Sequence, residues 1–199
     1  MSYHPSYFNP GGSHREDCER RMNLIRENIG CAGASCLDVG CSGGYYSFGM
    51  KELLGGYVLG IDTEQDLIDG CRKLAEENDV INVQFDKAAI DDYLIHSKDR
   101  FDVCLYMSVH HHVIARHGIE LASYLLKALS NRVRVMFADM GQKNENCPQH
   151  KWWQKLPPCQ DQKAWLVDYL NENTVFTKIE VIGSSKIHGI DRYFFRMEQ

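Results

Sequence analysis

The sequence predicts an α/β fold in a single domain: a mostly parallel sheet with helices on both faces, closed by a C-terminal antiparallel strand hairpin. Short apolar runs alternate with longer amphipathic ones along its 199 residues, which is how strands joined by crossover helices read. The length suits one well-buried core, and neither an internal repeat nor a second domain is evident. One apolar run, residues 35–39, leads directly into a glycine-rich turn. Open sheets of this kind bind ligands beyond the carboxyl ends of their strands.

Each element follows from local pattern. Residues 1–30 read as an N-terminal arm and helix, and 31–199 as the core. Cys18, Met22, Ile25 and Ile29 recur at helical spacing, so a helix is expected over 16–28, with Ser13 able to cap its start. After the strand at 35–39 comes a helix over 46–54, then a second strand over 57–61 that ends at Asp62. Residues 64–78 place Leu67, Ile68, Cys71 and Leu74 on one helix face. Strands are expected at 80–85, 101–107 and 133–137, with a helix over 119–129 before the last. The polar stretch 141–160 holds three of the five prolines and reads as a long loop or lid. A helix over 161–171 and strands at 176–183 and 191–197 close the fold.

Composition excludes several classes. With 25% charged and 44% hydrophobic residues and a net charge of −5, the chain is not a disordered tail, a collagen or a disulfide miniprotein. The charge balance does not advertise a nucleic-acid surface, although a local basic patch stays open. No apolar run approaches the ~20 residues of a membrane span. The first residues lack the basic and apolar regions of a signal peptide, so a cytoplasmic domain is expected. Eight cysteines form no C-x-x-C pair and read as small, reduced core residues, with no metal site expected.

The turn carries the chemistry. Asp38, Gly40, Cys41, Ser42 and Gly43 follow the first strand, where the backbone can approach a cofactor and the next helix aims free N–H groups at it. Asp62, ending the second strand, can accept both hydroxyls of a ribose. A nucleoside cofactor is therefore expected. A dinucleotide wants G-x-G-x-x-G; here Ser42 holds the middle glycine position and Tyr45 stands where glycine or alanine packs best. S-adenosylmethionine has no phosphate, and a short loop with a carboxylate such as Asp38 can hold its amino-acid end.

Residues 38–44, Gly60–Asp62 and 101–112 together resemble the successive motifs of class I S-adenosylmethionine-dependent methyltransferases. The resemblance runs from residue 36 to the end of the chain. It implies a Rossmann-like sheet, S-adenosylmethionine as cofactor with S-adenosylhomocysteine as product, and Thr63, Tyr106, Met107 and Ser108 as further cofactor contacts. Residues 60–65, 71–78, 108–113 and 117–119 are similar to the methyltransferase domain of the bifunctional kinase/methyltransferases that cap bacterial O-antigen polymannose. No kinase half is included here, so the acceptor can differ. The family often has an acidic residue near the third strand's end for the adenine amino group. Ala89 stands there, leaving the backbone of Ala89 and Ile90, or Asp86 or Asp91, to serve.

His110, His111 and His112 follow the fourth strand, where the transferred methyl should lie. Methyl transfer needs an acceptor held close and aligned, an effect worth about 7–11 kcal/mol in well-oriented systems. A hydroxyl acceptor needs a base, for which His111 or His112 is the candidate. A phosphate is already ionised and needs cations and donors instead; Arg15 and Arg116, with Arg20 and Arg21, are candidate clamps. Trp152 and Trp153, among Lys143, His150, Lys151 and Lys155, can stack on a sugar or a base or anchor a loop. Tyr3, Tyr7 and Phe8 read as a closing lid or a packed arm. The expected partner is a small-molecule or glycan acceptor. An RNA-modifying enzyme and a non-catalytic cofactor-binding module remain as alternatives, and the oligomeric state is left open.

Overall fold

The computed structural model describes residues 15–30, 32–145, 147, 151–187 and 189–199. Seven strands form the sheet: β1 (Cys36–Val39), β2 (Val58–Asp62), β3 (Val83–Lys87), β4 (Phe101–Met107), β5 (Val133–Asp139), β6 (Lys178–Ile187) and β7 (Ile190–Glu198). Their order is β3-β2-β1-β4-β5-β7-β6. The strands β1, β2, β3 and β4 pair in parallel, whereas β7 runs antiparallel to both β5 and β6. This is the expected mixed α/β class with its terminal hairpin. The chain divides into two compact units, one ending at residue 97 and including 101–105, the other comprising 98–100 and 106–199.

Unit one is a parallel βαβ assembly. All four residues of β1 are buried, as expected for a central strand covered on both faces. Helix α1 (Arg15–Asn28) buries Cys18, Met22 and Ile25, the stripe its spacing predicts. Helix α2 (Tyr45–Leu54) starts from Gly44 and stops at Gly55, both in the left-handed region. Helix α3 (Gln65–Glu77) turns Ile68 and Cys71 onto a cluster with Cys41, Phe48 and Phe85. Across the sheet Leu105, Asp38, Gly60 and Phe85 are successive lateral neighbours. A Cβ on Gly60 would lie 2.7 Å from the Phe85 ring and 3.0 Å from Ser47 Oγ, so α2 approaches β2 only because that side chain is missing.

Two expectations in unit one need correction. The third strand begins at Val83, not at residue 80, because Asp79 and Asn82 take left-handed φ angles of 50° and 59°. Val80 plugs the core before the strand starts, and Ile81 is 74% exposed. Residues between the third and fourth strands also form a helix, α4 (Ile90–His96), for which the seven-residue apolar pattern is too short to show periodicity.

Unit two contains α5 (His110–His117), α6 (Ile119–Ser130), the short 3-10 turns η1 (Lys143–Glu145) and η2 (Lys151–Lys155), α7 (Gln162–Asn173) and the hairpin. Leu125, Leu126, Leu129, Phe137, Leu166, Leu170, Phe194 and Phe195 are buried. The stretch expected as a long loop folds, in its described part, into η1 and η2, with Trp152 and Leu156 buried. Among the described residues no helix is long and apolar enough to cross a membrane.

Candidate active site

In unit one the turn after β1 is pinned at every step. Gly40 N–H and Cys41 N–H both donate to Ile61 O, at 2.8 and 3.0 Å. Gly40, Ser42 and Gly44 have φ of 73°, 49° and 78°. For Ser42 that left-handed conformation costs roughly 1–2 kcal/mol. Its N–H donates to Asp62 Oδ2 at 2.9 Å, and Glu64 N–H donates to Asp62 Oδ1 at 3.0 Å. Ser42 therefore adopts a backbone conformation that favours glycine, with the bond to the Asp62 carboxylate offsetting the strain. Ala88 N–H donates to Asp62 O at 2.9 Å, which brings the β3–α4 junction, Ala89 and Ile90, beside the same strand end. Thr63 is exposed and Ile90 is buried.

Asp38 is buried, and Ser47 Oγ donates to its Oδ2 at 2.6 Å. Burial pushes the Asp38 carboxyl up to about 7, with the charge of Asp62 adding to the rise and the Ser47 bonds opposing it. Burial likewise holds the thiols of Cys36 and Cys104 protonated, with the Asp38 charge contributing. The Cys41 thiol is raised by its hydrogen bond with Cys71 and by burial. Cys71 Sγ in turn donates to Ser42 O at 3.2 Å. Asp86, one alternative for the adenine contact, is bonded to Gln84 and reaches Arg72.

In unit two the three histidines part company. His110 is buried between two hydroxyls, Tyr106 Oη at 3.2 Å from Nδ1 and Tyr169 Oη at 2.8 Å from Nε2. Burial lowers His110 to about 3 and raises Tyr169 to about 12; His110 is a neutral core residue. His111 is also buried, and Gly141 N–H donates to its Nδ1 at 2.9 Å. A nitrogen that accepts carries no proton, so the His111 ring is neutral with its hydrogen on Nε2. Its ring centroid lies 4.3 Å from that of Trp152 and 4.3 Å from that of the exposed His112. A Cβ on Gly141 would meet the Trp152 ring at 2.2 Å, so this tilted ring packing requires glycine there.

Met107 is buried at the end of β4. Ser108, next to it, has φ 58° and donates its N–H to Asp139 Oδ1 at 2.5 Å. Its hydroxyl bonds Asp139 and accepts from Arg192 Nη1 at 3.0 Å. Arg192 also grips the buried Glu145 through Nε and Nη2. Trp153 is half-buried, donates Nε1–H to Cys147 O and lies 5.9 Å from Lys143 Nζ. Arg116 is exposed in the last turn of α5, while Arg20 and Arg21 pair with Asp17. Arg15 opens α1, but its side chain lies outside the described residues, as do Tyr3, Tyr7, Phe8 and His150. Sequence reasoning missed Ser47, Asp139, Glu145 and Arg192. Only the polarity of Ser47 in an otherwise apolar helix face hinted at one of them; the rest meet across 30 or more residues.

Comparison with known proteins assigns the family. A family model described as a methyltransferase domain matches residues 32–174. The chain belongs to this methyltransferase family. The O-antigen chain terminator bifunctional methyltransferase/kinase WbdD of Escherichia coli is 31% identical over 149 residues, covering 71% of this methyltransferase chain and 20% of that protein. The ubiquinone biosynthesis O-methyltransferase of Acinetobacter baylyi is 32% identical over 94 residues, 47% of this chain and 39% of that one. The chain thus spans well under half the length of either relative. Among solved structures, WbdD with the kinase inhibitor LY294002 superposes with a TM-score of 0.76 at 25% identity, over 92% of this chain and 41% of that chain. Magnesium protoporphyrin IX methyltransferase (ChlM) from Synechocystis PCC 6803 with bound SAH gives 0.65 at 15% identity, over 94% and 83%, and shares the methyltransferase's fold.

Proposed function

We propose that this methyltransferase moves the methyl group of S-adenosylmethionine to an oxygen of a small molecule or glycan, with a phosphate or sugar phosphate as the favoured acceptor. The observation that carries the cofactor half is the carboxylate pair framing the turn after β1. Asp62 accepts two amide protons, and an ionised carboxylate offers about four lone-pair sites, so capacity for ribose hydroxyls remains. Asp38 is buried, which makes its own charge costly; a cationic α-ammonium beside it would restore the ionised form. Gly40, Cys41, Ser42 and Gly43 supply backbone to the amino-acid end, and Ala89 and Ile90 the adenine contact. S-adenosylmethionine supplies a methyl activated on a sulfonium, so the chain's own task is to place and orient.

The preference for an already ionised acceptor rests on His111. Its Nδ1 lone pair is engaged by Gly141, so this nitrogen is not the base that a hydroxyl requires, whereas an anionic oxygen needs none. His112, exposed beside it, is the candidate base if a hydroxyl is the substrate. The burial of Trp152 against His111 supports an anchoring role for that ring and weighs against an RNA-stacking platform.

Calorimetry with S-adenosylhomocysteine tests the reading. Micromolar binding is expected, and its absence would overturn the assignment. A screen with labelled cofactor against phosphorylated and free sugars separates the acceptors. Methylation of free sugars alone, abolished by His112→Ala, would replace the phosphate reading with base catalysis.

A further inference from the structure

His111 is framed on both sides by one buried ion pair. Glu145 in η1 is 0% exposed at its side chain and Arg192 in β7 is 8% exposed. The guanidinium meets the carboxylate with two N–H groups, Nε to Oε1 at 3.0 Å and Nη2 to Oε2, the bidentate fork that fixes direction as well as distance. The same Oε1 accepts Gln142 N–H at 2.9 Å. Gln142 Nε2 donates to the carbonyl of Asp191 at 2.5 Å, so Gln142 is held by its backbone and its side chain. Gly141, whose N–H defines the His111 tautomer, has no side chain of its own to limit its backbone. Its geometry is set by the bonds on Gln142 and by the Trp152 ring packed against it.

On the other side, Arg192 Nη1 donates to Ser108 Oγ at 3.0 Å. Ser108 is the left-handed residue two positions before α5 begins. One guanidinium therefore grips the segment that launches His111 and the segment that hydrogen-bonds it. Stability alone is a poor reason for such a pair, since apolar replacements of buried ion pairs are often no less stable. We infer that Arg192 and Glu145 are positioning residues that lock His111 as the neutral Nε2–H tautomer, a hydrogen-bond donor. The inference deepens the methyltransferase reading, on which it rests for the role of His111 toward the acceptor.

Imidazole nitrogen spectra of protein labelled with 15N-histidine give the test. The wild type is expected to show His111 with its proton on Nε2. Arg192→Gln and Glu145→Gln should each give a mixture of both tautomers. Arg192→Lys, which keeps the charge and loses the fork, should fall between. His110, held by Tyr106 and Tyr169 outside the ion pair, should stay unchanged in every variant and reports that the unit is folded. A wild-type His111 protonated on Nδ1, or an Nε2–H signal untouched in both glutamine variants, would overturn the inference. Should neither glutamine variant fold, Arg192→Lys decides: partial mixing supports the lock, and an unaltered ring refutes it. Calorimetry with S-adenosylhomocysteine on the same samples keeps the two claims apart. A wild type that binds none would sink the methyltransferase reading while leaving the tautomer result standing.

Discussion

Ser42 in unit one and Ser108 in unit two occupy the same kind of position, the turn just beyond a strand, and both lie in the left-handed region at φ 49° and 58°. Each amide donates to a carboxylate that ends another strand, Asp62 of β2 or Asp139 of β5. The surroundings then diverge. Asp62 is half-buried and accepts from two backbone amides. Asp139 is buried, takes the Ser108 hydroxyl as well, and lies 3.9 Å from Arg192. The first carboxylate accepts from two backbone amides alone among these bonds; the second also takes a hydroxyl and lies near a guanidinium. The same left-handed strand-end turn thus sits in two different charge environments.

The largest effect that could break this contrast is on cofactor affinity. Removing the carboxylate in Asp62→Ala should weaken S-adenosylhomocysteine about 10²–10⁴-fold by calorimetry, if two hydrogen bonds to a charged group are lost at about 1.5–3 kcal/mol each. A change under about tenfold would mean that Asp62 only props the turn.

Next in size is the pH dependence of stability, where the units oppose each other. The folded-state Asp38 carboxyl is raised from 3.8 to about 7. Its contribution is therefore full below 3.8 and lost as pH rises through about 7. His110 is lowered from 6.5 to about 3, so its contribution is full above 6.5 and lost as pH falls toward 3. Between 3.8 and 6.5 the two slopes, each about 1.4 kcal/mol per pH unit, should nearly cancel. Urea titrations across that window should be flat for the wild type and rise with pH for Asp38→Asn. Parallel behaviour of the two proteins would show that Asp38 is not held as the geometry requires.

A smaller effect comes from Gly141→Ala, whose methyl would sit 2.2 Å from the Trp152 ring. Overpacking of this kind costs about 1–3 kcal/mol and should appear as a lower denaturation midpoint. Smallest of all, Ser42→Gly should lie within about 1 kcal/mol of wild type because glycine relieves the strained φ. Ser108→Gly should be less stable than Ser42→Gly, since the hydroxyl bonds to Asp139 and Arg192 go with the side chain. Equal stabilities would erase the distinction between the turns.

Much of unit one was legible because its signals are local. The glycine turn, Asp38 and Asp62 follow one another at strand ends, and period and punctuation place them. The third strand slipped because Val80 and Ile81 look β-prone, whereas Asp79 and Asn82 break the chain on either side. In unit two the histidine run singled out a segment but not the different surroundings of its three rings. Whether an imidazole packs, donates or accepts depends on Tyr169, Gly141 and Trp152, all distant in sequence. The Arg192–Glu145 pair bridges 47 positions, and no periodicity reaches that far.

The close packing over Gly60 has an evolutionary consequence. The Ser47 hydroxyl that bonds Asp38 and the Phe85 ring both press on the position a Cβ at Gly60 would take, so these four positions cannot drift independently. A lineage that gains a side chain at position 60 must shrink residue 85 or surrender the serine. Among homologous sequences the quartet should therefore change together or not at all.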